Sequence, residues 1–340
     1  MCAQRRAAQG PSGWRTLSRR QYARLRQSGE FRSYDELPPG RVLEVRSADG
    51  TRIHTEVFGP ETGYPIVLSH GYCCGIRFWS NQIAALATDY RVIAFDHRGH
   101  GLSGRPPRHG WTTERLADDL AAVLRATLRP GDRGVIAGHS MGGITVQAWA
   151  DNYPDDVERF ADAIGLFNTT PGGLTDRLGT TLFGRRTPGS LAAFAERVLP
   201  RLLRVFGGVP IPRRAPLRGP VLRYAALGPA ASPAARALLQ ELILTTPARS
   251  RGRFMRMLLA LPTSGFDTSR ITAPTLVIDS SSDRLVGRAP SRALHDRLPN
   301  PTGLVELPGG HCSPVEQPGA VTAELIKLAE TQAERLRRTP

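Results

Sequence analysis

The feature that constrains this chain most is a short apolar segment that runs into a glycine-rich turn and then into an apolar helical pattern. Val135–Ala137 precedes the hexapeptide Gly138–Gly143 (GHSMGG), and Ile144–Ala150 follows it. A buried strand that turns into a helix through Gly-x-Ser-x-Gly is typical of a nucleophile elbow, which holds a serine hydroxyl clear of a sheet. A side chain at Gly138 or Gly142 would collide with a neighbouring strand or helix.

Apolar runs of strand length alternate with helical patterns on both sides of this turn. The runs are Arg41–Val45, Ile53–Phe58, Tyr64–Ser69, Arg91–Asp96, Val135–Ala137, Phe160–Phe167, Pro274–Asp279 and Gly303–Leu307. The first two flank Asp49-Gly50, which predicts a hairpin. Helical patterns at Phe78–Ala87 and Thr113–Leu128 separate the next runs. The sequence therefore predicts an α/β fold: a mostly parallel, doubly wound sheet of about eight strands with helices on both faces.

The pattern of alternation breaks between about Pro171 and Phe266. This stretch is rich in Pro, Gly and Arg, and its only periodicity is helical, at Leu191–Phe206, Ala234–Leu244 and Phe254–Leu261. We interpret residues 171–266 as a helical cap inserted into a core formed by residues 41–170 and 267–340. A last helix is expected from about Ala320 to Leu336, and residues 1–40 form a basic N-terminal arm.

The net charge of +15 is carried almost entirely by arginine, and Lys327 is the only lysine. The arginines are spread out and no nucleic-acid-binding motif is present, so we expect no nucleic-acid partner. The segment Trp14–Leu25 has the pattern of a basic amphipathic helix, which is compatible with peripheral membrane contact. A loosely ordered arm is the default expectation. No apolar run has the length of a bilayer span or of a secretory signal, so a cytoplasmic location is expected.

The four cysteines, Cys2, Cys73, Cys74 and Cys312, do not have the spacing of a disulfide framework or a zinc site. Reduced thiols in a cytosol are the simplest interpretation. Two hypotheses remain open for Cys73, Cys74 and Cys312: they line the substrate pocket, or they are buried and inert. The sequence implies no metal and no organic cofactor, because it contains no ligand cluster or phosphate-binding loop.

A serine nucleophile needs a base, a group that orients the base, and donors for an oxyanion. The candidate base is His311, in a loop just after the last predicted strand. The candidate acid is Asp283, a few residues beyond the preceding strand, and Asp279 at the strand end is its competitor. Loops at the carboxyl ends of parallel strands bring such residues together.

Two backbone N–H groups are expected to hold the oxyanion. One belongs to Met141, the residue after the serine, and the other to Tyr72, in the loop that follows His70 and Gly71. We expect His70 to shape this loop rather than to act as the base. The side chain of His139, within the elbow, must point away from the serine.

These motifs together resemble the α/β-hydrolase superfamily over roughly Arg41 to Leu336. The matching segments are His70–Tyr72, Asp96–Ser103, Gly138–Gly143, Asp283 and Gly310-His311. The resemblance implies a Ser140–His311–Asp283 triad, with the cap inserted after the sixth core strand. Epoxide hydrolases and haloalkane dehalogenases share the Asp-x-Arg-Gly turn but carry an aspartate where this chain has Ser140, which argues against both. The elbow is similar to that of monoacylglycerol-lipase-like and esterase-like members.

The expected activity is that of a serine esterase or lipase-like hydrolase acting on a small-molecule ester with a hydrophobic group. Members that hydrolyse carbon–carbon bonds, and cofactorless haloperoxidase or perhydrolase-like members, carry the same triad and stay as alternatives. A hypothesis of another class is a non-catalytic ligand-binding protein on the same fold.

Overall fold

A computed structural model describes residues 19–173, 198, 201–202 and 224–338 of the 340 residues. Its core is an eight-stranded sheet. The strands are β1 Gly40–Arg46, β2 Arg52–Phe58, β3 Tyr64–Ser69, β4 Tyr90–Phe95, β5 Gly134–His139, β6 Ala161–Phe167, β7 Thr275–Ser280 and β8 Pro301–Leu307. The strand order is β1-β2-β4-β3-β5-β6-β7-β8. β1 and β2 form the predicted antiparallel hairpin, β2 is antiparallel to β4, and the strands from β4 to β8 are parallel. The predicted fold class is confirmed.

Helices lie on both faces of the sheet. They are α1 Arg19–Arg26, α2 Gly29–Arg32, α3 Ser80–Leu86, α4 Thr113–Thr127, α5 Met141–Asn152, α6 Pro154–Phe160, α7 Pro233–Thr245, α8 Ala248–Leu258, α9 Arg288–His295, α10 Ser313–Glu316 and α11 Pro318–Arg338. The helix predicted to start at Phe78 begins with a 3₁₀ turn, Ile76–Trp79, before α3. The short helix α6 was not predicted, because its seven residues contain too few periodic apolar positions to stand out.

The alternation of side chains along the central strands divides the core into two layers. Ile66 and Leu68 of β3 pack in one layer with α3, α7 and α11, whereas Val67 between them packs in the other with α4 and α5. Because both faces are covered, the central strands are apolar throughout. The carboxyl ends of β3, β5, β6, β7 and β8 therefore meet at one edge of a rigid, buried sheet.

The expectation of a loosely ordered arm is wrong for the described residues from Arg19 to Gly40. Helices α1 and α2 contact α7, and Phe31 and Tyr34 are buried in the first core layer. The hydroxyl of Ser80 donates to the backbone oxygen of Tyr34 at 3.0 Å. Full burial of one large apolar side chain stabilises a protein by about 1.5–3 kcal/mol, so burial of Phe31 and Tyr34 favours docking of this segment on the core.

An insertion separates β6 from β7. Its described part includes α7 and α8, which correspond to the patterns at Ala234–Leu244 and Phe254–Leu261, although α8 begins earlier, at Ala248. Most of the helix predicted at Leu191–Phe206 lies outside the described residues; Val198, Arg201 and Leu202 within it are helical. In the described part of the chain, no helix is both long enough and apolar enough to cross a membrane.

Candidate active site

Ser140 lies at the turn between β5 and α5, in a backbone conformation that few residues other than glycine adopt. Its φ is 52° and its ψ is −114°. Its N–H donates to the backbone oxygen of Phe167 at 2.9 Å, and its own carbonyl accepts from the Thr169 hydroxyl at 2.8 Å. Such a conformation costs on the order of 1–3 kcal/mol and persists only where the surroundings hold it.

The glycines of the elbow permit close contact between strand, turn and helix. A Cβ atom at Gly138 would lie 2.4 Å from the carbonyl carbon of Gly142, and one at Gly142 would lie 2.1 Å from the backbone oxygen of Ser69. Both distances are far below van der Waals contact. The sequence therefore forms this turn only with glycine at both positions.

The structure brings Ser140, His311 and Asp283 together in one chain of hydrogen bonds. His311 Nε2 lies 2.8 Å from Ser140 Oγ, and His311 Nδ1 lies 2.8 Å from Asp283 Oδ2. In the tautomer that donates from Nδ1 to the Asp283 carboxylate, Nε2 can accept from the serine hydroxyl. His311 and Asp283 are buried, whereas Ser140 is partly exposed.

The Asp283 carboxylate is held in its ionised form by its neighbours. Burial raises the pKa of this carboxyl, but the His311 charge and hydrogen bond, together with the N–H groups of Val286 and Leu285, outweigh burial and lower the pKa overall. Those two N–H groups bond Oδ1 at 3.0 and 2.9 Å. Asp283 Oδ2 therefore remains available to His311.

Asp279, the competitor for the acid position, lies at the end of β7, and the hydrogen bond at His311 Nδ1 goes to Asp283 instead. Its Oδ1 is buried and has no hydrogen-bond partner among the described residues. Burial, with Glu306 nearby, raises the pKa of Asp279 to about 6. The environment therefore disfavours the charged form of Asp279, whereas it favours the charged form of Asp283.

Asn168, which follows β6, is a residue of the site that the sequence analysis missed. Its side-chain amide donates to Asp283 Oδ2 at 3.1 Å and to Ser280 Oγ at 3.0 Å, and its carbonyl oxygen accepts from Ser313 Oγ. Its φ is 46°, a left-handed conformation that asparagine tolerates better than most residues. An asparagine directly after a buried strand was the available signal.

The loop after β3 lies against the nucleophile. A Cβ atom at Gly71 would be 3.3 Å from Ser140 Cβ and 2.7 Å from His139 Nδ1. Among the described residues, the N–H groups of Tyr72 and Met141 have no hydrogen-bond acceptor. Two unpaired donors beside a serine are the arrangement that an oxyanion requires.

Three buried histidines hold this loop. The Gly71 carbonyl accepts from His70 Nδ1 at 2.8 Å, and His70 Nε2 accepts from the His97 N–H at 3.0 Å. The Cys73 N–H donates to His100 Nε2 at 3.2 Å. Each bond uses a neutral ring. Burial lowers the pKa of His70 to about 4 and that of His100 to about 3.

His139 points away from Ser140 and contacts the loop that carries the candidate base. Its Nε2 lies 2.7 Å from the backbone oxygen of His311, to which it donates. Burial, with His311 nearby, lowers the pKa of His139 to about 3. This residue therefore joins the elbow to the His311 loop through a neutral imidazole.

Cys73, Cys74 and Cys312 are free thiols, and all three are buried. Burial raises the pKa of Cys73 to about 12 and raises the pKa of Cys74 and Cys312 well above the usual range. The thiolate is the reactive form of cysteine. These observations favour the hypothesis of buried, inert thiols.

Helix α8 of the insertion provides an apolar surface beside the nucleophile. Met141 and Ile144 of the elbow helix form a buried cluster with Phe254, Leu258 and other apolar residues, and Tyr72 packs against it. The Tyr72 hydroxyl donates to the backbone oxygen of Arg251 at 2.8 Å. The residue that supplies one candidate oxyanion donor is thus anchored to the insertion.

A mostly parallel sheet with a serine at a strand–turn–helix elbow, and with histidine and aspartate on later strand-end loops, defines the α/β-hydrolase class. A family model described as the alpha/beta hydrolase fold matches residues 64–166, from β3 to β6. The chain has the α/β-hydrolase fold and is similar to members of that superfamily.

Two relatives and one solved structure illustrate the similarity. A non-heme chloroperoxidase from Streptomyces lividans is 41% identical over 100 residues, which cover 29% of this chain and only 35% of that protein. A protein from Caulobacter sp. (strain K31) that bears the name of a carbamate hydrolase, RutD, is 27% identical over 272 residues, 79% of this chain and 91% of the relative. The enol-lactonase from Burkholderia xenovorans LB400 is 26% identical, covers 85% of this chain and 99% of its own, and superposes with a TM-score of 0.59. The superfamily and these relatives support hydrolase activity.

Proposed function

We propose that this protein is a serine hydrolase that cleaves a carboxylic ester of a small molecule through an acyl-enzyme. The observation that carries the proposal is the continuous hydrogen-bonded chain from Ser140 Oγ through His311 to Asp283, with both distances at 2.8 Å. Because the serine hydroxyl already faces an unprotonated imidazole nitrogen, proton removal needs no rearrangement.

In the proposed reaction, His311 Nε2 takes the hydroxyl proton as Ser140 Oγ attacks the ester carbonyl. The N–H groups of Met141 and Tyr72 stabilise the oxyanion, and Asp283 stabilises the imidazolium. His311 then gives the proton to the leaving alcohol. In the second half, His311 takes a proton from water, which attacks the acyl carbon and releases the acid and Ser140.

The apolar cluster around Met141 and α8 supports a substrate with a hydrophobic acyl or ring group. Burial of each methylene group contributes about 0.8 kcal/mol, so a pocket of this kind selects by chain length. We propose that the insertion sets this selection.

Perhydrolysis is the second candidate, and the similarity to a chloroperoxidase over 100 residues favours it. In that reaction hydrogen peroxide replaces water as the nucleophile that attacks the acyl-enzyme, and a peracid leaves. Carbamates and carbon–carbon substrates also suit the triad, and the RutD relative adds weight to carbamates.

The test is hydrolysis of p-nitrophenyl esters from acetate to laurate, with labelling of the serine by a fluorophosphonate. We expect the wild type to be active and labelled, and Ser140→Ala to lose labelling and at least about 10⁴-fold in kcat. Ser264→Ala, at an exposed serine, is the matched control. The same samples are assayed with carbamates, with carbon–carbon substrates and with peroxide plus an ester.

The outcomes separate the candidates. Ester turnover that depends on Ser140 supports the main proposal, whereas selective turnover of another substrate class moves the assignment to that class. A folded wild type that is neither labelled nor active on any substrate would support a ligand-binding protein.

We further propose a cytoplasmic location, with peripheral membrane contact through the basic segment that includes α1. The support is compositional: residues 1–40 contain eight arginines and three acidic residues. Sedimentation of the full chain with anionic and with neutral vesicles tests the membrane contact, which predicts binding to the anionic vesicles alone.

A further inference from the structure

The loop that carries His311 is bonded directly to the helical insertion. The His311 N–H donates to the backbone oxygen of Ala226 at 3.0 Å. Ala226 belongs to the segment Tyr224–Gly228, where the described chain of the insertion resumes ahead of α7. The position of the candidate base is therefore fixed partly by a residue outside the sheet.

The Glu316 carboxylate completes the connection. Its Oε2 accepts from the Gly228 N–H at 2.7 Å, and its two oxygens also accept from the N–H groups of Gly310 and Cys312 at 3.0 and 3.2 Å. Gly310 and Cys312 flank His311. One carboxylate thus accepts hydrogen bonds from an N–H group of the insertion and from N–H groups on both sides of the candidate base. Burial raises the pKa of Glu316, and these N–H groups oppose the rise.

The two segments touch backbone to backbone. A Cβ atom at Gly228 would lie 2.7 Å from the Gly310 nitrogen and 2.9 Å from Glu316 Oε2. A Cβ atom at Gly310 would lie 2.3 Å from the Gly228 nitrogen. Any added side chain at either glycine would therefore push the insertion and the His311 loop apart.

The same segment also reaches the loop of the candidate acid. The Arg284 guanidinium lies 4.0 Å from the centre of the Tyr224 ring and donates to the Tyr224 backbone oxygen at 3.2 Å. Arg284 is the neighbour of Asp283 in the chain. A stacked arginine with a hydrogen bond is a specific contact.

An ordinary role for Glu316 is to cap the short helix α10, which its bond to Cys312 satisfies. That role does not account for the bond to Gly228, which lies 88 residues away in the sequence. Nor does it explain why Gly228 and Gly310 approach so closely that an added Cβ atom would have no room at either position. The contacts are those of a latch between two separate parts of the chain.

We propose that Glu316 is a positioning residue that latches the segment Tyr224–Gly228 to the His311 loop, so that placement of the general base depends on the insertion. This inference rests on the proposed function, because it assigns His311 as the base. It goes beyond that function in making the insertion part of the catalytic geometry as well as a cover for the substrate.

The test uses two variants that leave the triad intact. Glu316→Gln keeps the shape but replaces one acceptor oxygen by a donor, so the three N–H groups cannot all be satisfied. Gly228→Ala inserts a methyl group between the segments. The matched controls are Glu330→Gln, at an exposed glutamate, and Gly319→Ala, where an added Cβ meets nothing within 4 Å.

Active sites are titrated with a fluorophosphonate, so that kcat refers to folded, competent enzyme. We expect both variants to lose about 10–100-fold in kcat and in the labelling rate, with KM changed by less than about threefold, because small misplacement of a base costs this much. The controls should match the wild type. A role in folding alone would lower thermal stability and leave kcat per titrated site unchanged, and that result would overturn the proposal.

Amide hydrogen exchange tests the latch independently of enzymatic activity. In both variants, peptides that cover Tyr224–Gly228 and Gly309–Glu316 should lose protection together; loss in one segment alone would overturn the proposed connection. An inactive wild type with paired loss of protection would mean that the proposed function fails while the latch stands. An active wild type whose variants keep both their activity and their protection would mean that the proposed function stands while the latch fails.

Discussion

Two loops flank Ser140, and they are held in different ways. The oxyanion loop, Gly71–Cys74, is bonded by neutral imidazoles of core residues, including His100 from the turn after β4. The base loop, Gly309–Cys312, is bonded by the Glu316 carboxylate and by the insertion. The backbone of the first loop is bonded by histidines of the sheet and its turns, and its contact with the insertion is through side chains such as the Tyr72 hydroxyl. The second loop is bonded to the insertion through its own backbone, at the His311 N–H.

The difference indicates which part of the proposed chemistry varies with the insertion. Oxyanion stabilisation requires donors fixed before the reaction, which suits a loop held by buried neutral groups. Placement of the base requires a hydrogen bond of the right length, which a change in the insertion would alter through Gly228 and Ala226. His139, which contacts Gly71 and the His311 carbonyl, is the link between the two sides.

The largest effect is expected on the base side, from Asp283→Asn. The amide cannot hold the His311 tautomer in which Nε2 accepts, so we expect kcat to fall about 10⁴-fold with the fold retained. Asp279→Asn, at the end of the preceding strand β7, is the matched control, and it should stay within about fivefold of the wild type, because His311 Nδ1 bonds Asp283 and not Asp279. Steady-state kinetics on the best ester measures both. A greater loss from Asp279→Asn would reverse the assignment of the acid.

A smaller effect is expected on the oxyanion side, from Gly71→Ala. The new Cβ would meet His139 Nδ1 at 2.7 Å and Ser140 Cβ at 3.3 Å, so the loop must move. Displacement of one oxyanion donor costs about 10²–10³-fold in kcat. Gly29→Ala is the control, because an added Cβ there meets nothing within 4 Å. If Gly71→Ala raised KM and left kcat unchanged, the loop would serve binding alone.

The two loops also differ in how far the sequence predicted them. The strand at Tyr64–Ser69, the elbow and the positions of His311 and Asp283 follow from local patterns, because apolar periodicity and glycine turns are encoded in neighbouring residues. The contacts of the oxyanion loop were only partly visible: His70 was expected to shape it, and the role of His100 was not predicted.

The latch and the arm could not be predicted, because they depend on contacts between distant parts of the chain. Nothing near Gly228 in the sequence indicates Glu316 as its partner. Phe31 and Tyr34 are isolated aromatic residues in an arginine-rich segment, and their burial became visible only against the assembled core. Asn168 is similar: it follows β6, and its amide bonds Asp283, which follows the neighbouring strand β7.

The smallest effect concerns the pH dependence of stability, to which the oxyanion side contributes more. The pKa of His100 is lowered to about 3 in the folded protein from an ordinary value near 6.5, so the unfolded chain binds more protons between these values. Stability is therefore fully present above about pH 6.5 and is lost as the pH falls through the folded value. Asp283 on the base side has a lowered carboxyl pKa, so its contribution is lost only at pH values below the usual range for a carboxylate.

For each buried histidine with a pKa lowered in this way, acidification from pH 7 to pH 5 should reduce the free energy of unfolding by about 2 kcal/mol. Urea unfolding of the wild type, His100→Gln and the exposed control His109→Gln at these two pH values measures the difference. Glutamine can still accept from the Cys73 N–H but does not titrate, so His100→Gln should reduce the loss of stability on acidification while His109→Gln should not. Asp279, with its pKa raised to about 6, acts in the opposite sense in all three proteins and cancels from the comparison. Equal pH dependence in the wild type and His100→Gln would mean that the oxyanion loop is not held by a neutral buried imidazole, and the contrast between the two loops would then be lost.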